Sequence, residues 1–277
     1  MRDLVAGSLS YSKQNRLPHQ AMRMSDPRRN VGGVTLFLKP ATVGCVLGVM
    51  MGLLVLASIV GQFVKYAISG GDIDGRLGQG LVRLVDVDAE QNIPTYFSML
   101  LLLVVAQLLA VITVLNRRQK RPYGARWGIL SIGFLFMAYD EGFQVHDKLT
   151  GPIKQLLGDQ TFGIFYFAWV IPGIVLVLAL GMFFLKFLLH LPPTDRFRFL
   201  LAAALYLGGA IGFELIGGSY AQTHGIHNLT YGLITTIEES LEMTGLIVFI
   251  WALLNYCGDH YKEVVFRIER EQDAAPN

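Results

Sequence analysis

The chain has 277 residues, 53% of them hydrophobic and only 16% charged, with a formal net charge of +2. A charged fraction so far below the ~25% of a soluble domain excludes a soluble globular enzyme. The small excess of positive charge is sorted along the chain, and no nucleic-acid partner is expected from it.

Residues 1–40 carry Arg2, Lys13, Arg16, Arg23, Arg28, Arg29 and Lys39, and no apolar segment of signal-peptide type. They predict a cytoplasmic tail that sets topology, with binding of anionic lipid as the functional alternative. Six apolar runs follow, each close to the ~20 residues that cross a bilayer as a helix. Span 1 is expected over 41–64 and is followed by a hydrophilic segment, Lys65 to Asn92. That segment holds Asp72-Ile-Asp74 and Asp86-Val-Asp-Ala-Glu, without the full calcium-loop pattern. A solvated acidic loop is the expectation.

Span 2 is expected from Pro94, a residue suited to a first helical turn, to about Leu115. Span 3 runs from Trp127 to about Val145. Span 4 runs from Gly163 to about Leu189, with Pro172 expected to kink it. Span 5 covers 197–217, and span 6 about 230–256. The predicted class is therefore an all-α polytopic membrane bundle of six transmembrane helices over residues 41–258, with a C-terminal cytoplasmic tail over 259–277. Counting Lys and Arg puts 18 of the 23 on one side, which fixes both termini as cytoplasmic and leaves none inside a span. Cys45 and Cys257 form no CxxC motif, and no disulfide framework is expected.

Six carboxylates nevertheless fall inside spans: Asp140, Glu141, Glu214, Glu238, Glu239 and Glu242. Ionisable groups in a bilayer are costly and by default mark function. All six map to the outer half of the membrane, on three helices. No polar residue continues from them toward the inner face, which favours a one-sided site over a conduit.

At ~100° per residue, Glu238 and Glu242 share a face, as do Asp140, Gln144 and Asp147. His146 points elsewhere in a straight helix and joins Asp140 only if the helix ends or bulges near Phe143. The segment Gly208-Gly-Ala-Ile-Gly-Phe-Glu214 places small residues beside an acid, chiefly for close packing. His224 and His227 form an HxxH pair in the next loop that could add ligands, although ordinary exposed histidines are the simpler reading. Tyr139, Trp169 and Tyr231 suit interfaces or site walls, and His19, His190 and His260 lie on the inner side, away from the site.

With no Lys or Arg among them, such acids either hold protons or are neutralised by a cation. The leading expectation is a divalent metal, iron, manganese or zinc, held by Asp140, His146, Glu214, Glu238 and Glu242. Glu239 and Glu141 would serve as outer partners or as acid and base. A lipid-like substrate suits that depth. The alternatives are a small cation- or proton-coupled transporter and a subunit of a larger membrane complex.

The segments Asn92-Ile-Pro-Thr-Tyr-Phe-Ser98, Asp140-Glu-x4-His-Asp147 and Glu238-Glu-Ser-Leu-Glu-Met243 resemble a widespread group of bacterial six-span membrane proteins to which no activity is assigned. The resemblance covers about residues 41–258 and implies the bacterial inner membrane. In that group the residue after the histidine is usually Glu, and here it is Asp147. The chain does not resemble the alkaline ceramidases, whose helices supply a histidine-rich zinc site.

Overall fold

The computed structural model describes residues 38–68, 76–89, 91–158 and 163–261. The basic tail up to residue 37, Asp72 and Asp74, and the chain beyond residue 261 lie outside the described residues.

The described chain is all-α. Its helices are α1 (Pro40–Phe63), α2 (Arg76–Val85), α3 (Ile93–Arg118), α4 (Gly124–Phe143), α5 (Val145–Leu156), α6 (Val170–His190), α7 (Pro193–Leu207), α8 (Glu214–His224) and α9 (Leu229–Tyr261). A π-helical turn, Val64–Ile68, prolongs α1, and another, Gly208–Phe213, joins α7 to α8. Five stretches are long and apolar enough to cross a membrane: Pro40–Tyr66, Ile93–Arg118, Val170–His190, Pro193–His224 and Leu229–Tyr261. The expected third span is α4, a helix of 20 residues, but Arg126, Asp140 and Glu141 make it less apolar than the others. The chain is thus a polytopic membrane protein with five such helices.

Local sequence explains the helix ends. Asn92 caps α3: its side-chain oxygen accepts the Thr95 N–H at 3.1 Å, and Pro94 occupies the first turn, where its missing N–H costs nothing. The Asn92-Ile-Pro-Thr motif is therefore a helix start. Pro172 does not kink span 4. The helix begins only at Val170, so the proline sits in the first turn, where the N–H it lacks would have had no partner. Lys186 lies on α6, near its end, and Arg198 near the start of α7, which corrects the expectation that no Lys or Arg falls inside a span.

The long α9 is the central helix and packs on α1, α3 and α7, while α3 packs along α4. Leu101, Leu102, Val105, Leu109 and Ile112 of α3 meet Met243, Leu246, Ile250 and Leu253 of α9 in the core. Trp127 of α4 is enclosed by Phe187, Phe199 and Tyr256, with ring centroids 4.9, 5.9 and 4.9 Å away. Helix α9 meets α7 almost backbone to backbone. A Cβ on Gly245 would lie 2.6 Å from the Tyr206 nitrogen, and one on Gly209 would lie 2.6 Å from the Glu238 carbonyl oxygen. Small residues permit that approach, which is how helices associate where solvent supplies no hydrophobic drive.

Large apolar side chains line the outside, including Leu53 and Val60 on α1, Ile132 and Phe136 on α4, and Val175 and Met182 on α6. Buried polar side chains such as Ser58, Gln62, Thr236 and Asp86 lie within. Lipid solvates the first set at no cost, and hydrogen bonds hold the second, apart from Gln62 Oε1, which has no hydrogen-bond partner among the described residues. Asp86 corrects the picture of a solvated acidic loop: it is buried, and it accepts from Gln62 Nε2 at 3.2 Å. Helix α2, within the same segment, was not legible as a helix in the sequence.

Candidate acid-rich site

The site begins with a break in a helix. Helix α4 ends at Phe143, and Gln144 takes the left-handed conformation, φ 52 and ψ 49. Helix α5 then starts at once in a new direction. This is the condition under which His146 can join Asp140, and it does. The His146 backbone N–H donates to Asp140 Oδ1 at 2.9 Å, and its Nδ1 lies 2.7 Å from Asp140 Oδ2. Its Nε2 lies 3.6 Å from Asp147 Oδ1. The single helical face expected to carry Asp140, Gln144 and Asp147 does not exist, because the chain turns at Gln144.

Glu214 is the first residue after the π-helical turn. A π turn inserts one residue and so rotates everything after it, a distortion common at functional sites. Glu214 Oε1 accepts the indole N–H of Trp169 at 2.8 Å. That indole ring lies 4.7 Å from the His146 ring, so Trp169 bridges the two halves of the site. Glu214 and Glu238 lie close enough to interact directly. Glu238 is buried on α9. Glu242, one turn further on, pairs with the Tyr206 hydroxyl of α7.

Electrostatic neighbours show the same convergence. Glu242 feels Glu141, His146 and Glu214, and Glu238 feels Glu214, Glu242 and Glu239. Asp140, Glu141, His146, Glu214, Glu238, Glu239 and Glu242 are thereby brought into one region from α4, α5, α8 and α9. On His146, burial opposes the charge. The hydrogen bond that the ring donates to Asp140 and the charges of Asp147, Asp140 and Glu214 outweigh it and push the ring up to about 9.

Tyr139, His224 and His227 separate from the cluster, and Tyr231 stays beside it. Tyr139 stacks on Phe143 at 4.5 Å and is exposed. His224 pairs with Thr223 at 2.7 Å and stacks on Tyr220, and His227 is exposed. Tyr231 is buried near Asp88, Glu214 and Glu238. Tyr206 was missed in the sequence, where one tyrosine in an apolar run carries no signal of its partner.

The opposite end of the bundle is more polar than expected. Buried Asp195 lies 3.0 Å from His260 Nε2, and Asn116 donates to the Tyr261 hydroxyl at 2.7 Å. Trp127, Phe199, Met243, Phe249 and Ile250 fill the core, so these groups do not continue the acidic site.

The donors do not fit a metal as they stand. Among the described residues no group of three or more His, Cys, Asp or Glu is placed to hold one ion. Asp140 is engaged by His146, and Glu214 by both Trp169 and Glu238.

The chain belongs to the family described as a domain of unknown function, DUF8692, whose profile matches residues 46–257. No curated protein and no solved structure matches it. Membership places residues 46–257 in one family domain and assigns no activity.

Proposed function

We propose that this chain is a six-span protein of the bacterial inner membrane in which α4 is the sixth crossing, and that its acid-rich cluster is an outward-facing cation site, loaded from one side, as the binding state of a small cation- or proton-coupled carrier would be. Twenty residues of α4 span ~30 Å, and its apolar outer face suits lipid. The Lys and Arg count supports cytoplasmic termini.

Charge balance is the observation that carries this reading. From Phe199 to Gly258 the acids are Glu214, Glu238, Glu239 and Glu242, and there is no Lys or Arg. These acids meet Asp140 and Glu141, with one imidazole, in a low-dielectric interior where unbalanced charge is costly. A cation arriving from outside supplies the balance. His146 is half-buried, Asp147 exposed and Glu238 buried, so the acids and the imidazole grade from the surface to the interior.

A second reading keeps the same residues. A resident divalent ion, iron, manganese or zinc, would take Asp140, His146, Glu214, Glu238 and Glu242, with Glu239 and Glu141 as acid and base and a lipid-like substrate. The mixed carboxylate and imidazole donors on several helices favour it. It requires the Glu214–Glu238 and Asp140–His146 contacts to open.

Metal content of the detergent-purified protein by plasma mass spectrometry, together with ion and proton flux in proteoliposomes, separates the two. Flux that responds to a pH gradient and is lost in Glu238→Gln supports the carrier. Stoichiometric metal lost in Glu238→Gln, without flux, transfers the site to the second reading. Neither metal nor flux defeats both.

A further inference from the structure

The segment between α1 and α3 reads in sequence as a water-exposed loop, yet it is anchored below the end of α1. Val82 of α2 packs on Gly61, where an added Cβ would lie 3.4 Å from Val82 Cγ1. Gly61 precedes Tyr66, the last residue of the membrane-crossing stretch, by roughly 7 Å of helix rise. The turn after α2 goes deeper. The Val87 N–H donates to Ser58 Oγ at 3.0 Å. Gln62 Nε2 donates to Asp86 Oδ1 at 3.2 Å and to Thr236 Oγ1 of α9 at 3.1 Å. Ser58, Gln62, Asp86 and Val87 are all buried. From above, Asn92 Nδ2 donates to the carbonyls of Arg83 and Asp86 and ties the turn to the start of α3.

This anchoring leaves one edge of α2 uncovered. Leu81 and Leu84, three residues apart and so on one side of the helix, are 65% and 48% exposed. The flank of α1 at the same level, Val60 and Phe63, is exposed and apolar too, and belongs to the lipid-facing surface of that helix. We infer that α2 is an interfacial helix whose Leu81–Leu84 edge lies in the acyl boundary of the bilayer that holds the bundle. The occupant of this edge is the lipid leaflet itself, continuous with the lipid around α1. Arg83, also exposed, supplies the water-facing side expected of such a helix. The buried Gln62–Asp86 contact holds the element at that depth.

The test uses the full-length protein with Cys45→Ser and Cys257→Ala, spin-labelled singly at Leu81→Cys, Leu84→Cys or Arg83→Cys and reconstituted in vesicles of phosphatidylethanolamine and phosphatidylglycerol. These side chains are exposed, so labelling them leaves the packing intact. Power saturation reads collisions with oxygen, which concentrates in lipid, against a water-soluble nickel chelate. Labels at 81 and 84 are expected to favour oxygen, and the label at 83 the nickel chelate. Nickel-dominated or equal collisions at 81 and 84 would overturn the assignment, whatever the acid-rich site is found to bind.

Discussion

His146 meets Asp140 twice, once through its backbone N–H and once through its ring, across a helix break only two residues before it. The break depends on Gln144, whose positive φ an L-residue adopts at a cost of ~1–2 kcal/mol. Gln144→Gly should relieve that strain and raise the melting temperature in detergent. Gln144→Val should lower stability by ~1–2 kcal/mol relative to wild type and loosen the pair. A Val variant as stable as the Gly variant would show that the break has another origin.

The pair has a pH signature. The His146 ring is raised from 6.5 to about 9, so the folded protein holds this proton more tightly than the unfolded chain. The stability it contributes is complete below about pH 6.5 and is lost as the pH rises through about 9. Wild type should therefore melt above His146→Gln in mildly acidic buffer, with the gap closing in alkali. A gap that stays constant with pH would refute the protonated ring.

Gly209 and Gly245 each face backbone atoms at distances no Cβ tolerates. Gly209→Ala and Gly245→Ala should each cost ~1–3 kcal/mol, because backbone cannot move aside as a side chain can. Unfolding in increasing denaturant measures this, with Gly48→Ala, which has open space around it, as the neutral control.

Trp127 is fully enclosed by three aromatic rings. Trp127→Ala should lose ~3–5 kcal/mol, the usual cost of emptying so large a site. The acids lie elsewhere, so cation binding per folded molecule should persist. Isothermal titration on the folded fraction would reveal any loss of binding, which would mean the core and the site are coupled.

Gln62 stands against Gly232, where a Cβ would lie 2.6 Å from Gln62 Oε1. Gly232→Ala should push the amide away from Thr236 and Asp86 and raise hydrogen exchange at Val87, whose N–H rests on Ser58. Unchanged protection at Val87 would mean the turn is held by other contacts.

The sequence by itself determined the membrane class, the approximate positions of the apolar helices and the identities of the intramembrane acids. Run length, charge content and Lys/Arg placement are local quantities, and the bilayer converts them directly into helices. It also stated the condition for His146, a break near Phe143, without being able to decide whether the condition held. Whether a chain accepts the left-handed region at one glutamine depends on what lies on either side of it in space. The same is true of Trp169, in the turn before α6, and of Tyr206, on α7, which reach Glu214 and Glu242. The π turn before Glu214 and the burial of Asp86 also follow from packing on α9 and α1, contacts distant in sequence. Periodicity assigns each helix a face, and only the packed bundle decides which faces meet.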